Sequence, residues 1–166
     1  MIKKNKPVFL CGFMGCGKTT IGELLAKRLG TSFIDLDDYI EEQEGMTIPE
    51  IFSQKGEPYF RERESRALAE LPVSAAVVAT GGGTLLRREN GDLAKSLGTV
   101  VFIDTPFEVC YERIKDDPHR PIAASSTKEQ LKDRFEQRRP LYTENSEFAV
   151  NGSAAPIQIV NEITDQ

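Results

Sequence analysis

Histidine is almost missing from this chain: His119 is the single one in 166 residues. A two-histidine metal site is therefore excluded, and a histidine-based triad has one candidate only. Cysteine is scarce as well. Cys11, Cys16 and Cys110 show no metal-ligand spacing, and their odd number fits a reducing compartment better than a disulfide framework. No apolar run approaches the length of a membrane span. The lysines near the start, Lys3, Lys4 and Lys6, lead into an apolar stretch that Gly12 cuts short, so it does not read as a secretory signal. An excess of positive charge is also lacking. A net charge of −5 argues against a protein that tracks nucleic-acid phosphates. An anionic ligand must instead be met by locally placed arginines. Repeats and low-complexity tracts are absent. What these absences leave is a cytoplasmic globular chain, long enough for one domain with a core. It is expected to be a monomer without nucleic-acid or membrane partners.

What is present is more specific. Residues 12–19 read Gly-Phe-Met-Gly-Cys-Gly-Lys-Thr, which fits the phosphate-binding template G-x-x-x-x-G-K-[ST] at each fixed position. An apolar run precedes it and a helical pattern follows, the strand–loop–helix context such a loop needs. Glycines let successive backbone N–H groups form a nest for phosphate oxygens, and the helix N-terminus adds partial positive charge. In such a loop Lys18 reaches the β- and γ-phosphates and the Thr19 hydroxyl holds Mg²⁺. Cys16 sits inside the loop near Lys18. Its plainer reading is a small filler rather than a reactive thiol.

Along the chain, strands and helices alternate, which predicts a parallel sheet covered on both faces. Strands are expected over 8–11, 33–37, 75–79, 100–104 and 148–150. Helices are expected over 19–29, 38–44, 58–71, 128–139 and 156–163, with a short one after Thr47 that Gly56 ends and another that Thr105-Pro106-Phe107-Glu108 caps, Pro106 being its first residue. Thr47 and Glu50 have the spacing of a capping box, and Pro140 is expected to stop the helix before it. The stretch 116–127 is polar and lacks periodicity, and reads as a mobile lid.

Ligands of open α/β sheets bind at the carboxyl ends of the strands, so the residues there decide the chemistry. Asp35 and Asp37, two apart at the end of the second strand, would share one face. Arg61 and Glu64 are neighbours on a helix, where composition alone favours an ordinary surface pair. Gly81, Gly82 and Gly83 follow a buried strand; three glycines in a row suit backbone that must approach a ligand closely. Arg120 in the lid is placed to neutralise charge on transferring phosphate. Arg138, ahead of Pro140-Leu141-Tyr142, offers a second guanidinium. No [NT]-K-x-D segment is present to read guanine, which argues against a GTP switch.

The combination resembles the shikimate kinase family over nearly the whole chain. The resemblance rests on residues 12–20, on Phe33-Ile-Asp-Leu-Asp37, on Phe60-Arg61 with Glu64, on Thr80-Gly-Gly-Gly83, on Arg120-Pro121, and on Arg138 before Pro140-Leu-Tyr142. It implies a three-layer α/β/α fold with a five-stranded parallel sheet in the order 2-3-1-4-5, as in nucleoside monophosphate kinases. It implies transfer of the γ-phosphoryl of ATP to the 3-hydroxyl of shikimate, with Mg²⁺, in aromatic amino acid biosynthesis. By position, Lys18, Asp37 and Arg120 would be catalytic. Gly15, Cys16, Gly17, Lys18, Thr19, Thr20, Arg113, Arg120 and Pro156 would bind ATP. Asp37, Arg61, Gly81, Gly82, Gly83 and Arg138 would bind shikimate, and Thr19 and Asp35 would serve the metal, Asp35 through water. The rival readings are another small-molecule kinase, such as a gluconate kinase, and a relative that binds nucleotide without catalysis.

Overall fold

A computed structural model describes residues 2–71, 75–117 and 125–165. Its centre is a five-stranded sheet in the order β2-β3-β1-β4-β5, as expected. The strands are β1 (Val8–Cys11), β2 (Ser32–Asp35), β3 (Ala76–Ala79), β4 (Thr99–Asp104) and β5 (Phe148–Asn151). Each pairing is parallel, with Val8 opposite both Val77 and Thr99, Phe33 opposite Val77, and Val101 opposite Phe148. The inner strands are buried along their length. That is why they read as unbroken apolar runs rather than as alternating ones. Thr80 extends the β1–β3 ladder, since both its N–H and its hydroxyl donate to the Leu10 carbonyl, at 3.0 and 2.8 Å.

The helices are α1 (Lys18–Leu29), α2 (Leu36–Glu44), α3 (Ile48–Lys55), α4 (Glu57–Glu70), α5 (Arg88–Leu97), α6 (Phe107–Ile114), α7 (Lys128–Glu144) and α8 (Pro156–Thr164), with a 3₁₀ turn at Thr84–Leu86. Gly30 and Gly45 end α1 and α2 in the left-handed conformation, as helix stops of this kind should. Thr47 caps α3 by accepting from the Glu50 N–H. A complete reciprocal box forms at Thr127 and Gln130, at the start of α7. Helices α2 and α4 are tied together at Glu44, which accepts from the Tyr59 hydroxyl and lies 3.8 Å from the Arg63 guanidinium.

Four expectations need correction. The second strand ends at Asp35, and Asp37 lies in the first turn of α2. Asp35 caps that helix by accepting from the Asp38 N–H, so the local capping bond wins over strand continuation. Helix α7 does not stop at Arg139 but runs through Pro140 to Glu144. Packing holds it there: Tyr142 beyond the proline is buried. Thr105 does not cap α6; Pro106 occupies that position, and the Thr105 hydroxyl donates to the Cys16 carbonyl at 2.9 Å. Helix α5 was not anticipated. Its buried residues are Asn90, Gly91 and Ala94, with Leu93 and Leu97 partly buried, so its inner side carries too few apolar residues for a clear periodic signal. The expected lid falls largely on residues 118–124, outside the described residues.

Gly98 joins α5 to β4 at a point with no spare room. A Cβ there would meet the Pro7 carbonyl oxygen and lie 2.8 Å from its carbon, and that same carbonyl accepts from the Thr99 N–H at 3.0 Å. Gly98→Ala must push the first strand aside. It is expected to lower stability by about 1–3 kcal/mol while leaving the KM for both substrates unchanged. A urea midpoint equal to that of the parent chain would contradict this account.

Candidate active site

The loop between β1 and α1 is shaped by neighbours as much as by its own sequence. Gly15 has φ +81°, and a Cβ on it would sit 2.7 Å from Ile114 Cγ2 and 2.9 Å from the Cys110 carbonyl. Conformation and crowding both exclude a side chain. The Thr105 hydroxyl anchors the far end of the loop through the Cys16 carbonyl. Gly17 is the N-cap of α1 and supplies no side-chain cap, and the first turn carries no acid. The free N–H groups of that turn are left for an anion. Lys18 rests its ammonium on the Gly12 and Phe13 carbonyls at 2.6 and 3.3 Å. Cys16 is buried at 2% exposure, its Sγ filling the space beside Gly12. The plainer reading of that thiol as a filler fits this placement.

A cavity of about 470 Å³ opens over the loop. Gly15, Cys16, Gly17, Lys18, Thr19, Thr20, Arg113 and Pro156 all line it, so each expected ATP residue except Arg120 is present. Arg120 lies outside the described residues. Arg113 reaches from α6 to donate to the Gly15 carbonyl at 2.9 Å, and Pro156 stands in the first turn of α8. Met14 and Ala154, which the sequence did not single out, complete the wall.

A second cavity, about 750 Å³, adjoins the first. Asp37, Arg61, Gly81, Gly82, Gly83 and Arg138 line it together, drawn from α2, α4, the turn after β3, and α7. Asp35, Asp37, Gly81 and Gly82 line both cavities. The two therefore form one trough with Asp37 at the junction. Apolar side chains from α3 and α4, among them Ile48, Phe52 and Phe60, form a shelf across the second cavity.

The triple glycine makes room for side chains. A Cβ on Gly81 would fall 2.7 Å from Asp37 Oδ1. One on Gly83 would fall 2.8 Å from Arg61 Cζ, and Gly82 faces the Arg138 guanidinium at 3.5 Å. The missing side chains of Gly81 and Gly83 thus admit Asp37 and Arg61 to the turn, and Arg138 lies beside Gly82. Glu64 binds this group from below. It is buried at 1% exposure, accepts from Arg61 at 2.8 Å through one oxygen, and accepts from the Thr84 hydroxyl at 2.7 Å through the other. The Arg61–Glu64 pair is therefore not the surface pair that composition suggested. Thr84 was missed by the sequence reading, and its only local cue was its position directly after the glycines.

Comparison with known proteins now bears on this geometry. The shikimate kinase family profile matches residues 14–166. The chain belongs to the shikimate kinase family. A shikimate kinase from Persephonella marina is 44% identical over 157 residues, covering 94% of this chain and 95% of its own. The crystal structure of the Aquifex aeolicus shikimate kinase superposes with a TM-score of 0.84 at 41% identity, covering 95% of this chain and 94% of that one. A shikimate kinase from Acinetobacter baumannii, solved in complex with shikimate, gives a TM-score of 0.90 at 37% identity, covering 98% and 92%. Membership of the shikimate kinase family makes this an ATP-dependent phosphotransferase, with ATP as its co-substrate, and argues against the gluconate kinase alternative.

Electrostatics separate the residues of this family member by role. Burial pushes the Asp37 carboxyl up from 3.8 to about 7; Asp35 and Glu64 push the same way, and Lys18 opposes them. Its Oδ1 is buried without a hydrogen-bond partner among the described residues. A carboxylate so placed can take a proton near neutral pH. Burial works against the charge on Arg61, but Glu64 and Glu57 outweigh it and the net shift is upward. Arg138 is shifted downward, by burial first and by Arg134 and Arg61 nearby, with Tyr142 opposing. No carboxylate among the described residues pairs with it, which leaves its charge for a ligand. Among the described residues no three His, Cys, Asp or Glu side chains gather as a metal cage. Thr19 and Asp35 at the mouth of one cavity still suit Mg²⁺, which takes few protein oxygens and completes its shell with phosphate and water.

The raised Asp37 ties activity to stability with opposite signs. Ionising this carboxyl in the folded chain is unfavourable, so its charge destabilises the fold increasingly between about pH 4 and 7. Asp37→Asn removes that charge. The variant is expected to melt at a higher temperature than the parent above pH 7, with the gain shrinking toward pH 4. Its kcat should fall by at least about a hundredfold, while the parent's kcat rises with pH through about 7. Melting curves that differ equally at pH 4 and pH 8 would show that the charge is not the cause.

Proposed function

We propose that this chain transfers the γ-phosphoryl of ATP to the 3-hydroxyl of shikimate, giving shikimate 3-phosphate and ADP, in aromatic amino acid biosynthesis. The observation that carries the reading is the polarity of the trough. Asp37 lines both cavities, whereas Arg61 and Arg138 line only the second. An acceptor with one carboxylate and several hydroxyls fits this layout. Its carboxylate lies against two guanidiniums, and its hydroxyl end meets the acid at the junction.

The residues then divide the work. The phosphate loop, with Gly15, Gly17, Lys18 and Thr20, cradles the polyphosphate, and Arg113 and Pro156 border the base. Lys18 leaves the Gly12 and Phe13 carbonyls for phosphate oxygens, exchanging two neutral acceptors for charged ones. Mg²⁺, when bound with ATP, would be held by Thr19 and, through water, by Asp35, and would neutralise phosphate charge. Asp37 orients the acceptor hydroxyl and takes its proton. Arg61 and Arg138 fix the carboxylate, and Gly81, Gly82 and Gly83 bring the backbone alongside. Arg120 is assigned to the transferring phosphate on its sequence position alone. Phosphoryl transfer needs mainly such positioning and charge neutralisation. Three free buried cysteines suit a reducing cytoplasm, and the net charge of −5 suits a monomer that binds small molecules rather than nucleic acid.

A coupled assay of ADP release tests the reading directly. Release should require shikimate and Mg²⁺ together, and gluconate or nucleoside monophosphates should not replace shikimate. Turnover with one of those acceptors and none with shikimate would sink the proposal. Arg61→Ala removes one charge-assisted contact to the acceptor and should raise the shikimate KM by about 10- to 100-fold, with the ATP KM little changed. Lys18→Met should reduce phosphoryl transfer to background; retention of more than about a tenth of kcat would show that the ammonium does not stabilise the transferring group.

A further inference from the structure

Tyr142 has no part in the roles assigned above, yet its placement is unusual for a core aromatic. It is 1% exposed, and its ring packs against Phe102 at 5.4 Å between centroids. Its hydroxyl reaches out of that apolar bed and donates to the Gly82 carbonyl at 2.5 Å. Arg138 stands one helical turn earlier on the same face of α7, and its guanidinium and the phenol oxygen both lie against Gly82 and interact electrostatically. A tyrosine hydroxyl has one proton to give and lone pairs to accept with, so both interactions can be made at once. Gly82 in turn faces the Arg138 guanidinium. Hydroxyl, guanidinium and glycine turn thus form a closed triangle. Three residues further along α7, the Asn145 amide donates to the Leu85 carbonyl at 2.8 Å, which ties the helix to the far end of the same turn.

Resting on the proposed function, we infer that Tyr142 is a positioning residue for the acceptor: it locks the Arg138 guanidinium against the Gly82 turn and so sets the distance between the carboxylate clamp and Asp37. Arg138 needs such a support. Glu64 holds Arg61 in a fixed ion pair, but among the described residues no carboxylate pairs with Arg138, and ordering a long side chain costs rotamer entropy that a partner must offset. A neutral hydroxyl orders the guanidinium without spending its charge. This arrangement also explains why α7 continues through Pro140. A helix ending at Arg139 would leave no residue one turn beyond Arg138 to receive it.

Tyr142→Phe keeps the ring against Phe102 and deletes the one oxygen. Steady-state kinetics should show the shikimate KM raised about tenfold and the ATP KM changed less than about twofold. A general loosening of the fold would move both. The deciding comparison uses Arg138→Ala as background. If Tyr142 acts through Arg138, adding Tyr142→Phe to Arg138→Ala should change the shikimate KM by less than about twofold further. An unchanged shikimate KM in Tyr142→Phe overturns the inference, and so does the same fold-increase in both backgrounds. A shikimate KM unchanged by Arg138→Ala alone would instead overturn the carboxylate-clamp reading, and the inference with it.

Discussion

Three polar side chains converge on a turn that has no side chains of its own, and most of the acceptor cavity follows from that constraint. Asp37, Arg61 and Arg138 come from three different helices; a methyl group on Gly81 or Gly83 would crowd Asp37 or Arg61, and Arg138 lies in ordinary contact distance of Gly82. Packing of this kind is intolerant because protein interiors have few gaps to absorb a displaced atom. The helices are held accordingly. Glu64 and Thr84 fix α4 to the turn, Tyr142 and Asn145 fix α7 to it, and Glu44 fixes α2 to α4. The parallel sheet contributes by placing the phosphate loop, Asp35 and the glycine turn at the carboxyl ends of neighbouring strands.

The same turn organises the charge. Acids gather on the α2 side of the trough, in Asp35, Asp37, Asp38 and Glu41, and guanidiniums on the α4 and α7 side. In the proposed reaction, a chain with net charge −5 would meet an anionic acceptor through two local cations rather than through its overall field. The two cations are held differently. Arg61 is pinned by a buried carboxylate that takes up part of its charge, while Arg138 faces the cavity with a neutral partner. The proposed clamp would combine one guanidinium ordered by an ion pair with one that keeps its charge for the acceptor.

Legibility in the sequence varied with how local the causes were. The phosphate loop could be read residue by residue, because its geometry is set by glycine spacing and by the strand and helix beside it. The strand order came from the family resemblance, and alternating periodicity supported only a parallel sheet. Asp37 lines both cavities but lies on a helix where a strand was expected; the run Asp35-Leu-Asp-Asp38 contains the N-cap cue that would have moved it there. Arg61 and Glu64 looked like a surface pair because nothing nearby reveals that Thr84, twenty residues on, closes over the carboxylate. Pro140 read as a helix stop because propensity speaks for isolated segments, and burial of Tyr142 overrides it. Met14 and Asn145 carried no signal in composition, since their roles exist only once distant elements meet.

One consequence of the Asp37 environment concerns the reaction that does not happen. A kinase holding ATP beside an open acceptor cavity faces water as a rival nucleophile. A permanently charged carboxylate at the junction of the two cavities would activate that water whenever the acceptor was absent. Near neutral pH a carboxyl that titrates at about 7 is protonated for much of the time, and in that form it cannot accept a second proton. For the base role proposed for Asp37, the same burial would limit futile hydrolysis of the nucleotide while the enzyme waits for its acceptor.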